Sequence, residues 1–115
     1  MRYQLRGVTH ALRDQTFAIV AEKRLVLGRL ATSDIVLDDS SVSRRHCTLH
    51  QTDEQFCVRD EKSVNGTYVN GVRIGMTDHP LQHRDLLQVG KVVLLVEQFA
   101  EIDADVPIFV LAREA

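Results

Sequence analysis

The chain reads as an all-β protein, a sandwich of short and mostly antiparallel strands. Short β-branched runs punctuated by turn residues recur throughout, whereas apolar residues at helical spacing are hard to find. Tight-turn signals are dense as well, with Asn-Gly at 65–66 and again at 70–71. Residues number 115, of which 44% are apolar and 26% charged, which is one domain's worth of chain with enough apolar material for a core.

Strands are expected, in order, at Tyr3 to Val8, Thr16 to Val20, Arg24 to Gly28, Ile35 to Leu37, Arg45 to Gln51 and Gln55 to Asp60. Four more follow at Thr67 to Val69, Val72 to Ile74, Leu86 to Val89 and Val92 to Gln98. Gly90-Lys91 suits a tight turn between the last two. Asn70-Gly71 suits a two-residue hairpin turn between Val69 and Val72, because both residues tolerate positive φ. Were Asn65-Gly66 a hairpin turn too, only Thr67 to Val69 would separate the two turns, at the short end of strand lengths. The first pair is therefore assigned to a loop that begins at Asp60 and runs "DEKSVNG", held by strands on both sides as binding loops are. Residues 1–99 form the expected domain. The tail 100–115, acidic and then apolar around Pro107 to Leu111, is read as an added strand or the start of a linker.

Charge and cysteine content narrow the classes of function. Fourteen basic residues against sixteen acidic give a net charge of -2, a poor match to a nucleic-acid backbone, so any anion site is local. With two Tyr, four Phe and no Trp there is little for base stacking. No targeting segment or membrane span is visible, which makes the cytoplasm the expected location. Cys47 and Cys57 lie in neighbouring expected strands, but pleat parity opposes a disulfide: Cys47 points inward with Leu49, whereas Phe56 and Val58 point inward and leave Cys57 on the other face. His46 and His50 stand at H-x₃-H, a chelating spacing on a helix, but on a strand four residues span about 13 Å. His10, His79 and His83 are expected in loops without paired ligands. No metal or other cofactor is expected.

Three polar loops stand out: "LGRLATSD" (27–34), "DDSSVSRRH" (38–46) and "KSVNGT" (62–67). Arg29 carries a planar fork of donors suited to phosphate or carboxylate. Ser43 has a hydroxyl that can donate to an anionic oxygen, Arg44 and Arg45 add charge, and the Asn65 amide can donate to and accept from a peptide backbone. Taken singly, each has a blander reading as a turn residue, a solvated charge or a structural imidazole. Their joint order and spacing carry the argument.

In that order, "LGR", "SDIVLDDSSVSRRH", "SVNGTYVNG" and "RDLLQVG" resemble the forkhead-associated (FHA) domain over roughly residues 3 to 98. The resemblance implies an eleven-stranded β-sandwich that binds phosphothreonine peptides through loops at one apex. By it, Arg29 and Ser43 hold the phosphate and Asn65 holds the peptide main chain, and the charge of Arg44 adds to the phosphate site. Gly28, His46 and Gly66 support the site, and Ser41, Ser63, Val64 and Arg45 are further contributors. Val64 departs from the Ser or Thr of many members, with Ser63 as a partial replacement. Ser41 stands where some members carry an arginine that reads an acidic side chain three residues after the phosphothreonine, so that preference is not implied here, and Arg84 stands where glycine is common. The implied partner is a phosphothreonine-containing protein, a substrate of a Ser/Thr kinase, with further domains on the same polypeptide an option. A phosphate-independent scaffold is the alternative reading. A catalytic Ser43–His46 pair is disfavoured because no third member or nucleophile elbow accompanies it.

Overall fold

A computed structural model describes residues 2–100, so the reading of the tail lies outside the described residues. The strands are β1 (Arg2–Gly7), β2 (Thr16–Ala18), β3 (Arg24–Gly28), β4 (Ile35–Val36), β5 (Cys47–Gln51), β6 (Phe56–Asp60), β7 (Thr67–Val69), β8 (Val72–Arg73), β9 (His79–Leu81), β10 (Leu86–Val89) and β11 (Val92–Phe99). One 3₁₀ turn, His10–Leu12, interrupts them. They form a six-stranded sheet in the order β2-β1-β11-β10-β7-β8 and a five-stranded sheet in the order β4-β3-β5-β6-β9.

Period-two alternation explains how the sheets stack. Leu5 of β1, Leu87 and Val89 of β10, and Leu94 and Val96 of β11 turn one way. They meet Leu25 and Leu27 of β3, Leu49 of β5, and Phe56 and Val58 of β6. Tyr3 packs on Phe56 with ring centroids 4.7 Å apart, closing the core at one side. Both cysteines are free thiols: Cys47 lies in the core, and Cys57 sits across from His50 on the other face, as parity requires.

All ten expected strands are present, with ends shifted by up to two residues, and β9 is an addition. Its segment His79-Pro80-Leu81 falls where the sequence predicts a loop, and Pro80 cannot donate to a ladder. As the edge strand of its sheet, paired only to β6, β9 tolerates that proline. Asn70-Gly71 forms the hairpin turn between β7 and β8, with φ of +50° and +83° at its two residues. Arg45 precedes β5 and belongs to the loop.

Among the described residues every strand pair is antiparallel except β3 with β4, where Leu27 faces Ile35 and Gly28 faces Val36 in parallel. The 29–34 loop is thus a crossover that returns the chain to run beside β3 in the same direction. Both strands then leave their sheet at one end.

Arg84 has φ +72°, while its N–H donates to the Val96 carbonyl at 2.7 Å. A side chain in this left-handed region costs about 1 to 2 kcal/mol, offset in part by the lower chain entropy it brings to the unfolded state. Arg84→Gly is expected to raise stability by about 0.5 to 1 kcal/mol, read as a higher urea midpoint at unchanged slope.

Candidate functional site

The parallel β3–β4 pair places loop 29–34 and the start of loop 38–46 at the same end of the sandwich. β5 begins there, with Cys47 opposite Leu27, and β6 ends there, with Asp60 opposite Cys47. Loop 61–66 therefore joins the other two. The β10–β11 turn closes the group: the Gly90 N–H donates to the Gly66 carbonyl at 3.2 Å, and the Lys91 N–H to Ser43's neighbour two residues back, Ser41, at its Oγ, at 2.8 Å.

Arg29 opens the first loop. Its N–H donates to the Ser43 carbonyl at 3.1 Å and its Nε to the Val42 carbonyl at 3.0 Å, so the guanidinium is tethered at one edge while the side chain is exposed. Gly28 makes this approach possible, because a methyl group there would collide with the Arg44 carbonyl oxygen. Ser43 is half-buried, and its Oγ accepts from the Val64 N–H at 3.0 Å, which leaves the hydroxyl proton to donate elsewhere. Asn65 is exposed, and its Nδ2 donates to the Ser41 carbonyl at 2.8 Å.

Beneath these groups lies a buried polar layer. His46 is fully buried, accepting from the Ser43 N–H at Nδ1 (3.0 Å) and donating from Nε2 to the Gly66 carbonyl (2.8 Å). These partners assign the neutral imidazole with its proton on Nε2. Burial pushes its pKa below the usual histidine value of 6.5, outweighing the Gly66 hydrogen bond and the nearby Asp60 charge. Asp60 accepts from the Ser63 hydroxyl at 2.6 Å, the Thr67 hydroxyl at 2.7 Å and the Ser63 N–H at 3.1 Å, and the Ser63 hydroxyl in turn accepts from the Gly66 N–H at 3.0 Å. Burial raises the Asp60 pKa, but these bonds win and hold it below the ordinary carboxylate value.

The structure thus brings Arg29, Ser43, Arg44, Val64 and Asn65 to one apex, with Gly28, His46 and Gly66 beneath or between them. Three expected contributors are corrected. The Ser41 hydroxyl is buried, donating to Asp39 at 2.6 Å and accepting the Lys91 N–H, so its proton is not free for a phosphate oxygen. Ser63 is buried on Asp60, so it does not replace the hydroxyl absent at Val64. Arg45 leans toward Glu61, at 3.7 Å, a carboxylate that Arg59 also approaches at 3.1 Å. Arg44 is exposed and forms no ion pair among the described residues. Val64 is 84% exposed.

Sequence reasoning missed the acids under the loops, Asp39 and Asp60. Both stand a short step before a serine, in "DSS" and "DEKS", and the Asp side chain bonds the backbone N–H of that serine. Such local Asx chemistry was a usable signal.

A two-layer β-sandwich with polar loops gathered at one end, tethered by buried hydrogen bonds and tipped with free donors, is a ligand-binding module. The FHA domain model matches residues 25–90, and the chain belongs to that family. An oxoglutarate dehydrogenase inhibitor of Corynebacterium efficiens is 47% identical over 64 residues, which cover 56% of this chain and 44% of the relative. The chain spans less than half the length of the curated relatives it matches. Among solved structures, the FHA domain of the CT664 protein from Chlamydia trachomatis is 26% identical with a TM-score of 0.80, covering 87% of this chain and all of that one. The MEK1 FHA domain in complex with a HOP1 phosphothreonine peptide is 28% identical with a TM-score of 0.69, covering 83% of this chain and 94% of that one.

Protonating Nδ1 of His46 would set a proton against the Ser43 N–H. The unfolded imidazole titrates near 6.5 and the folded one lower, so below that point the unfolded chain binds the extra proton first. Stability is expected to be flat above about pH 7 and to fall as the pH drops through 6.5. Asp39 and Asp60, both held low, add a second loss as the pH passes below their unfolded value of 3.8. Urea unfolding across pH checks this; a level curve between about pH 7 and about pH 5 would contradict the neutral, buried imidazole.

Proposed function

We propose that the apex binds a phosphothreonine-containing segment of a partner protein, with Arg29, Ser43 and Arg44 on the phosphate and Asn65 on the peptide main chain. The observation that carries this is the meeting of an exposed guanidinium, a hydroxyl with a free proton and an exposed carboxamide at one end, each anchored by a hydrogen bond. The MEK1 FHA domain, similar in sequence and fold, was solved with a phosphothreonine peptide bound, which supports the same ligand class here.

Phosphothreonine carries about -1.5 to -2 charge at pH 7, and unmodified threonine carries none. Arg29 is already held through Nε, so little further ordering is needed before its terminal nitrogens meet a phosphate oxygen. The threonine methyl adds about 0.8 kcal/mol over serine where it is buried. On this reading the chain is a regulatory binding module rather than a catalyst. It works in the cytoplasm on the product of a Ser/Thr kinase. The relative that is named as an inhibitor of an enzyme supports a regulatory role. Among the described residues no helix is long and apolar enough to cross a membrane.

Losing one partner of a desolvated charge pair costs about 2 to 5 kcal/mol, against about -8 kcal/mol for a micromolar complex. Calorimetric titration with a phosphothreonine peptide selected from an oriented library is expected to show binding by the wild type and none by Arg29→Ala at micromolar concentration. The unphosphorylated peptide is expected to bind neither. Equal affinity of wild type and Arg29→Ala would defeat the proposal.

A further inference from the structure

In an antiparallel sheet with one face on the core, the outward face is expected to be polar. β1 keeps to that rule, turning Arg2, Gln4 and Arg6 outward. β11 does not. Its inward residues Val92, Leu94 and Val96 are buried, and of those that alternate with them Val93 and Leu95 are half-buried and Phe99 is 39% exposed. Leu86 of β10, 44% exposed, stands opposite Leu95, and Phe99 stands opposite Arg2. Glu97, the acid in this row, accepts from Gln4 and Arg6, both at 2.9 Å. The outer face of the six-stranded sheet thus carries an apolar strip of Val93, Leu95, Leu86 and Phe99, and among the described residues no third layer covers it.

The chain that follows β11 can supply that cover. Phe99 stands at the end opposite the apex, on the same face as the strip, and the sequence continues "EIDADVPIFVLAREA", in which residues 106–111 are a run without a polar side chain. From Phe99 back to Val93 is about 20 Å along the strand, and an extended run of that many residues covers about the same. Residues 100–105 leave room for a reversal, a usual length for a connection. Glu101, Asp103 and Asp105 make that connection acidic, and Arg2, exposed beside Phe99 with no ion pair among the described residues, is the cation to answer it. A second copy of the chain fits the strip less well. Its few side chains, Val93 and Leu95 already half-buried, fall far short of the about 800 Å² per partner of a stable interface. A segment on a short tether instead acts at an effective concentration near millimolar.

We propose that residues 106–111 of this chain dock on the outer face of the six-stranded sheet, over Val93, Leu95, Leu86 and Phe99. The segment runs back along β11 as a third layer, about 10 Å above the sheet. Pro107 has no N–H to leave unpaired, which suits a segment held by its side chains rather than by a ladder. This surface is separate from the apical loops, and its occupant is the chain itself, whatever ligand the apex takes.

The test is nuclear magnetic resonance on the full chain with labelled methyl groups. Nuclear Overhauser contacts are expected between the Phe109 ring and the methyls of Leu86 and Leu95, at strengths that do not change on dilution. Amide exchange at 106–111 is expected to be about tenfold or more slower than in a free peptide of that sequence. Phe109→Ser and Leu86→Ser are each expected to remove most of that protection, while unchanged methyl resonances of Leu27 and Val58 report an intact core in both variants. Exchange at the free-peptide rate with no ring-to-methyl contact overturns the proposal. Protection that both variants leave untouched overturns it too, since the segment is then held elsewhere. Contacts found only between differently labelled chains in a mixed sample overturn it in favour of a second copy.

Discussion

The parallel pairing of β3 with β4 is the constraint on which the rest of the molecule depends. In an uninterrupted antiparallel meander, loops alternate between the two ends of a sheet, and loops 29–34 and 38–46 would lie a strand's length apart. Because the chain crosses over and runs beside β3 in the same sense, both loops emerge at one end, and the antiparallel β5 and β6 return the third loop to it. The crossover is short, and it closes through the Leu37 N–H on the Gly28 carbonyl at 2.9 Å and the His46 N–H on the Leu27 carbonyl at 2.9 Å. Glycine at position 28 is part of the same constraint, since the Arg44 carbonyl occupies the space a side chain would need.

Loops brought together still have to be held, and irregular backbone leaves donors and acceptors without ladder partners. Two buried side chains meet that need. His46 takes a donor from loop 38–46 and serves an acceptor in loop 61–66, so one imidazole joins two loops. Asp60 gathers two hydroxyls and a backbone N–H within its own loop. Among the described residues no buried side-chain nitrogen or oxygen lacks a partner. This interior layer is fully hydrogen-bonded, and it carries Arg29, Arg44 and Asn65 exposed at the tips of the loops.

Charge is partitioned by the same architecture. The chain is slightly acidic overall, yet Arg29 and Arg44 stand at the apical loops without an acidic partner among the described residues, while Glu61 draws Arg45 and Arg59 together and Asp78 takes Arg24. Local excess of one sign within a near-neutral surface favours a compact anion over an extended polyanion.

Strand identity was largely legible from the amino-acid pattern, because period-two alternation and Asn-Gly chemistry act over a few residues; β9 escaped since Pro80 masks a strand that only its edge position permits. The donor types of the candidate site were legible too, in Arg29, Ser43 and Asn65, since donor type belongs to the residue. Which of Ser41, Ser43 and Ser63 keeps a hydroxyl for a ligand was not, as that depends on which one faces Asp39, Asp60 or solvent. Convergence of the loops was decided by tertiary structure alone. Side-chain type and local periodicity are properties of neighbours along the chain, whereas the direction of β4 and the contacts made across two sheets arise from residues tens of positions apart.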